Sequence, residues 1–96
     1  MILIINFADR ETSLIWDGFQ SRRLPADIQP VALRKLRLLN RAERLDDLRA
    51  PPGNRLEPLK GELEGRWSIR VNDQWRICFR WTTGGPSDVG IVDYHR

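Results

Sequence analysis

Cysteine, histidine and lysine are scarce in this chain of 96 residues. It has one cysteine, Cys78, one histidine, His95, and two lysines, Lys35 and Lys60. A single cysteine excludes an internal disulfide and a cysteine-based zinc site, and a single histidine excludes a metal site built on a histidine pair. The spacing of the carboxylates does not indicate a metal site either. The sequence therefore predicts no metal site and no cofactor.

Motifs of the common enzyme classes are also missing. The chain has no P-loop, no glycine-rich dinucleotide motif and no nucleophile elbow. Cys78 has no base near it in sequence and falls in an alternating strand pattern, which favours a structural thiol over a nucleophile. The apolar run over residues 1–7 is too short for a membrane helix and lacks the basic start of a signal peptide. We therefore expect a cytoplasmic protein without a membrane partner.

The chain is basic, and arginine carries most of the positive charge. The net charge is +3, and 41% of the residues are hydrophobic, which is ordinary for a globular protein. The length predicts one small domain, residues 1–96. Arginine suits bidentate contact with phosphate, so an anionic partner fits this composition. A solvated surface that faces an acidic protein fits it equally well.

The N-terminal half predicts one strand and two helices. The apolar, β-branched run Met1–Phe7 predicts a buried first strand. A short helix is expected within Asp9–Phe19 and ends near Gly18, with Asp9 or Thr12 as its cap and an apolar stripe that includes Phe19. A longer helix follows Pro25 and ends before the Pro-Pro-Gly of residues 51–53. The exposed face of this second helix is basic, and we interpret that face as solvated.

The C-terminal half predicts four strands. One begins near Arg55, and two more form a hairpin from the alternating runs Trp67–Val71 and Trp75–Trp81. The last strand is expected over Asp88–Tyr94. The order β-α-α-β-β-β-β predicts an α+β fold with two N-terminal helices packed on one face of a mostly antiparallel sheet.

Arginines are predicted to share the outer face of the hairpin. Alternation places Arg70, Arg76 and Arg80 opposite the aromatic and aliphatic inner face. Like charges on neighbouring strands repel one another unless an anion neutralises them, which suggests a phosphate site. The alternative is that nearby acids pair with the arginines, and four are available: Glu57, Glu62, Glu64 and Asp73.

The end of the chain adds an aromatic ring and a group that titrates near neutral pH, Tyr94 and His95. Lysine, arginine, tyrosine and histidine are the parts needed for metal-free RNA cleavage. That reaction requires a base for the 2′-hydroxyl, a cation for the phosphate and an acid for the leaving oxygen.

Three sequence elements in order, Leu-Lys-Gly at 59–61, Trp-Ser-Ile-Arg-Val-Asn-Asp-Gln-Trp-Arg-Ile-Cys-Phe at 67–79 and Asp-Tyr-His at 93–95, resemble the HigB branch of the RelE/ParE toxin superfamily. The resemblance covers essentially the whole chain and implies the RelE-like α+β fold. It also implies the toxin of a type II toxin–antitoxin pair, a ribosome-dependent endoribonuclease that cuts mRNA in the ribosomal A site. The implied partners are the ribosome, mRNA and a HigA-type helix-turn-helix antitoxin, through which the complex reaches operator DNA.

The resemblance also assigns roles to individual residues. It implies that Lys60, Arg76, Tyr94 and His95 are catalytic, with Arg76 holding the scissile phosphate. Glu57 stands where the best-known HigB toxin has a catalytic histidine, so it is a possible replacement base. Further contacts to RNA or phosphate are expected from three arginines near this set: Arg66, Arg70 and Arg80.

Two alternative functions remain open at this point. A ParE-like binder of DNA gyrase shares this fold, but it does not need the terminal Tyr94-His95 pair. A degenerate toxin could instead act only as a co-repressor together with its antitoxin. Transcript cleavage, DNA supercoiling and growth after expression distinguish the three hypotheses.

Overall fold

The computed structural model describes residues 3–94 and shows two helices and a four-stranded antiparallel sheet. The elements are α1 (Arg10–Trp16), α2 (Gln29–Arg41), β1 (Glu57–Pro58), β2 (Trp67–Arg70), β3 (Trp75–Thr82) and β4 (Gly85–Asp93). The strand order is β1-β2-β3-β4, so each strand pairs with the next one along the chain. Within residues 3–94, no helix is long and apolar enough to cross a membrane. The predicted α+β fold is confirmed.

Both helices pack against one face of the sheet. Helix α2 contributes Ala32, Leu36 and Leu39 to the core, and all three are fully buried. The predicted inner face of the hairpin supplies the other side of this core, since Ile69, Ile77 and Phe79 are also fully buried. Helix α1 is tied to β4 by the backbone N–H of Ile91, which donates to Oγ1 of Thr12 at 2.9 Å.

The predicted buried first strand is wrong for the residues that the structure describes. Residues 3–8 run beside β4 and form a single parallel bridge, Phe7 to Val89. Leu3 and Ile5 are 47% and 54% exposed, because this segment lies at the edge of the sheet, whereas Ile4 and Phe7 pack against the core. Met1 and Ile2 lie outside the described residues.

Helix α1 begins as predicted and ends at Trp16, two residues before the predicted end near Gly18. Oδ1 of Asp9 accepts from the backbone N–H of Thr12 at 2.7 Å, which confirms the cap. The helix stops after Trp16 because Gly18 adopts φ 90°, and the N–H of Phe19 returns to the carbonyl of Leu14 at 2.9 Å. The ring of Phe19 is therefore 64% exposed and does not join the apolar stripe.

The hairpin forms with the predicted turn. Oδ1 of Asn72 accepts from the backbone N–H groups of Gln74 and Trp75, both at 2.8 Å. In the resulting register, Ser68 faces Cys78 and Arg70 faces Arg76. Further along β3, the pairing with β4 shifts between residues 78 and 80.

Candidate active site

A cavity of about 360 Å³ opens where the turn between β2 and β3 meets the segment around β1 and the residue that follows β4. Strand register explains why these distant segments meet on one face. Glu57 faces Ser68, Arg70 faces Arg76, and Tyr94 lies two residues beyond Val92, the β4 partner of Arg76. The lining residues are mostly polar or charged: Arg55, Glu57, Arg70, Asn72, Asp73, Arg76 and Tyr94.

Arg76 is the most enclosed side chain of this cavity, with only 6% of its surface exposed. Its Nε donates to Oγ of Ser68 at 2.7 Å, and its Nη2 donates to the carbonyl of Arg55 at 2.5 Å. The carboxylate of Glu57 lies 3.4 Å from Nη2, and the guanidinium carbon lies 5.6 Å from the ring centre of Tyr94. Arg76 thus lies on the predicted outer face of the hairpin with Arg70, but it is buried there because the segment before β2 covers it. These contacts hold the guanidinium in one orientation.

Arg70 is the second cation of the cavity and stands directly across from Arg76. It forms an ion pair with Asp73 in the hairpin turn. Asp73 pairs with Arg70, and Glu57 pairs with Arg76. These two ion pairs are of the kind that the sequence suggested as the alternative to a phosphate site. Both acids line the cavity, and so do the two arginines with which they pair.

Arg80 and Arg66 do not line this cavity. Arg80 pairs with Asp88 at 3.3 Å, beyond the shift in register that separates it from Arg76. Arg66 lies half-buried just before β2, near Cys78. Burial raises the pKa of the Cys78 thiol to about 11, although the charges of Arg76 and Arg66 act in the opposite direction. This thiol is protonated at neutral pH, which agrees with the predicted structural role.

The structure thus brings together two of the four predicted catalytic residues, Arg76 and Tyr94, with Glu57 beside them. Lys60 is exposed in the turn after β1 and does not line the cavity. His95 lies outside the described residues, directly after Tyr94 in sequence.

Two residues that hold Arg76 were missed by the sequence prediction, Arg55 and Ser68. Arg55 adopts φ 45°, a left-handed conformation that its residue type does not indicate. Ser68 is fully buried and alternates onto the same face as Arg70. That alternation was the available signal for Ser68, whereas the sequence contains none for Arg55.

Comparisons with known proteins agree on one family. Residues 6–95 match the family model of HigB-like toxins, described as the RelE-like toxin of the type II toxin–antitoxin system HigB. Toxin HigB-1 of Vibrio cholerae is 41% identical over 83 residues, which covers 85% of this chain and 87% of that protein. Endoribonuclease HigB of Proteus vulgaris is 46% identical over 41 residues, or 43% of this chain and 45% of that protein.

A solved structure supports the fold independently. The YoeB/ParE toxin from Agrobacterium tumefaciens superposes with a TM-score of 0.53 over 99% of this chain and all of that chain, at 18% identity. At that identity the likeness concerns the fold alone. The family match over residues 6–95 and the 41% identity to the Vibrio cholerae toxin lead to one conclusion: this chain is a member of the HigB-like family of RelE-like toxins from type II toxin–antitoxin systems.

Proposed function

We propose that this chain is a ribosome-dependent endoribonuclease that cuts mRNA in the ribosomal A site by metal-free acid–base chemistry. The observation that carries the proposal is the buried guanidinium of Arg76, fixed in a cavity between the carboxylate of Glu57 and the ring of Tyr94. The Proteus vulgaris relative, whose name describes an endoribonuclease, supports the same chemistry.

The proposed reaction uses Glu57 and Arg76, which share one cavity, and His95, which lies outside the described residues. Glu57 takes the proton of the 2′-hydroxyl, whose oxygen then attacks the adjacent phosphorus. Arg76 binds the phosphate and stabilises the charge that builds up on its oxygens. The 5′-oxygen leaves as the bond to phosphorus breaks, and His95 supplies its proton. The products are a cyclic phosphate and a 5′-hydroxyl.

Two further residues have roles in this proposal. The ring of Tyr94 stacks on a base next to the scissile phosphate, as aromatic side chains do with unpaired RNA bases. Lys60, in the exposed turn after β1, contributes positive charge to the reacting phosphate and is assigned here by its family motif. The arginines of the cavity, Arg55 and Arg70, bind neighbouring phosphates.

The proposed partners follow from the toxin family. The family belongs to toxin–antitoxin systems, so an antitoxin partner is expected, and we propose a HigA-type protein with a helix-turn-helix. The ribosome presents the mRNA, and operator DNA is contacted only through the antitoxin complex.

The test is to map mRNA 5′ ends after induction of the wild-type protein, Arg76→Ala and His95→Ala. New 5′ ends within codons and growth arrest are expected for the wild type only, while both variants still fold and bind the antitoxin. Arg10→Ala, at the exposed start of α1, serves as a control for the loss of an arginine. Growth arrest retained in both variants would refute the site. Altered DNA supercoiling without transcript cleavage would favour the gyrase alternative.

A further inference from the structure

A buried side chain connects helix α2 to the segment that holds Arg76. Asn54 is fully buried, and each of its polar atoms has a partner. Its Nδ2 donates to the carbonyls of Leu48 and Ala50 at 3.1 and 3.2 Å, and its Oδ1 accepts from Nζ of Lys35. One amide therefore fixes the turn at 52–54 against both the preceding turn and α2.

The residue after Asn54 is the one whose carbonyl binds Arg76. Arg55 has φ 45°, and an L-residue keeps this disfavoured conformation only when its surroundings impose it. The carbonyl of Arg55 accepts from Nη2 of Arg76 at 2.5 Å, and the Arg55 side chain lines the cavity. Arg55 thus contributes one backbone contact to Arg76 and one side chain to the wall of the cavity.

The surroundings of Lys35 disfavour the charged form of its side chain. Burial lowers the pKa of Lys35, and the neighbouring charges of Arg34 and Arg70 lower it further. Nζ of Lys35 instead reaches from α2 to Asn54, the residue before Arg55, so this side chain does not lie on a purely solvated face. The interpretation of the basic face of α2 as solvated therefore fails for this lysine, which is half-buried.

We propose that Lys35 and Asn54 are positioning residues that hold the backbone of Arg55 in its left-handed conformation and thereby orient Arg76 for phosphate binding. The effect on Arg76 can be measured in the free protein. The effect on cleavage rests on the proposed function. Neither residue needs to touch RNA for this role.

The first measurement is the solvent exchange of the Arg76 Nε–H, followed by NMR in the full chain labelled with ¹⁵N-arginine. Lys35→Met removes the ammonium but keeps the stem, and Asn54→Asp keeps an acceptor for Lys35 but removes both donors. In each variant we expect Arg76 exchange to accelerate roughly tenfold, while the backbone amide of Ile77 in the core keeps its protection. Lys35→Arg is expected to restore slow exchange. Arg37→Met, the same loss of charge at an exposed position of α2, is expected to leave exchange unchanged.

The second measurement is cleavage of mRNA on purified ribosomes. Misplacement of Arg76 is expected to lower kcat by roughly tenfold or more without a matching rise in KM, because the phosphate contact matters most in the transition state. Lys35→Arg is expected to recover most of the kcat that Lys35→Met loses.

The outcomes separate the two proposals. Unchanged Arg76 exchange in Lys35→Met would overturn the positioning role, and Asn54→Asp gives the same decision if it folds. Faster exchange of the Arg76 Nε–H with an unaltered kcat would show that the positioning role of Lys35 and Asn54 does not matter for cleavage. A wild-type chain that cuts no mRNA on ribosomes would overturn the proposed function, and the exchange measurement would still decide whether Lys35 and Asn54 orient Arg76.

Discussion

Arg70 and Arg76 stand directly opposite each other in the register of β2 and β3. Facing like charges destabilise a sheet, yet here each arginine has a carboxylate of its own, Asp73 and Glu57. Oxygens of an incoming phosphate can take the same geometry as these carboxylates. The structure therefore holds both guanidinium groups in the cavity wall without leaving either one uncompensated.

Replacement of Arg70, one of the arginines that line the cavity, should change the salt dependence of RNA binding. Arg70→Gln is expected to reduce the slope of log K against log salt for a single-stranded oligonucleotide by about 0.7, the effect of one lost phosphate contact. Arg80→Gln should leave the slope unchanged, because Arg80 pairs with Asp88 outside the cavity. Equal slopes for both variants would place the RNA elsewhere.

Replacement of the proposed base should affect the chemical step. Glu57→Gln keeps the shape of the side chain but cannot take up a proton, so ribosomal cleavage is expected to fall roughly 100-fold or more. Glu62→Gln, an exposed acid in the turn after β1, is the matched control. Wild-type rates in Glu57→Gln would assign the base to another residue. Antitoxin binding, measured in parallel, reports whether each variant is folded.

The buried thiol predicts a loss of stability at alkaline pH. Cys78 has a pKa of about 11 in the folded protein, raised by burial from its ordinary value of 9.0. Its contribution to the free energy of unfolding is therefore fully present below pH 9 and is lost as the pH rises towards 11. The loss is at most about 2.7 kcal/mol for this shift in pKa. Chemical denaturation at several pH values should show a smaller decline in Cys78→Ala, and an identical decline would contradict the burial effect.

Two glycine substitutions should differ in their effect on stability. A Cβ at Gly90 would lie 3.2 Å from Oδ2 of Asp9 and 3.3 Å from Cβ of Ala8, where β4 meets the start of α1. Gly90→Ala is therefore expected to lower the free energy of unfolding by about 1 kcal/mol or more.

Gly53 provides the control, since a Cβ there meets no atom within 4 Å. Gly53→Ala should leave the free energy of unfolding unchanged or raise it by up to about 1 kcal/mol, because alanine lowers the conformational entropy of the unfolded chain. Urea denaturation midpoints measure both effects. A neutral Gly90→Ala would show that α1 moves away from β4 easily.

The hairpin was predictable because its signals are local. Alternation identifies the buried face, and Asn72 forms the turn with its own side chain. The N-terminal segment was not predictable in this way, because its apolar residues do not reveal that β4 is its only neighbour in the sheet. The apolar side chain of Phe19 likewise does not reveal that the turn at Gly18 leaves this residue exposed, although the end of α1 near Gly18 was predicted.

The candidate site was partly predictable for a similar reason. Arg76 and Tyr94 lie in recognisable motifs, and the structure brings them within cation–π distance. Arg55 contributes through its carbonyl and its left-handed backbone, neither of which depends visibly on its residue type. The burial of Arg76 also depends on Arg55, which lies 21 residues earlier in sequence. The alternation of residues within β3 gives no information about such a contact.

The pairing of residues 3–8 with β4 has a consequence for the order in which the protein folds during synthesis. Asn6 and Asp88 are joined by a hydrogen bond across 82 positions of sequence, and the backbone N–H of Tyr94, just beyond the end of β4, donates to the carbonyl of Gln74. Contacts of such long sequence separation form late, because the ribosome must first release the last strand. The cavity that includes Tyr94 therefore cannot be completed until Tyr94 itself has left the ribosome, so a shorter growing chain lacks one wall of the candidate site.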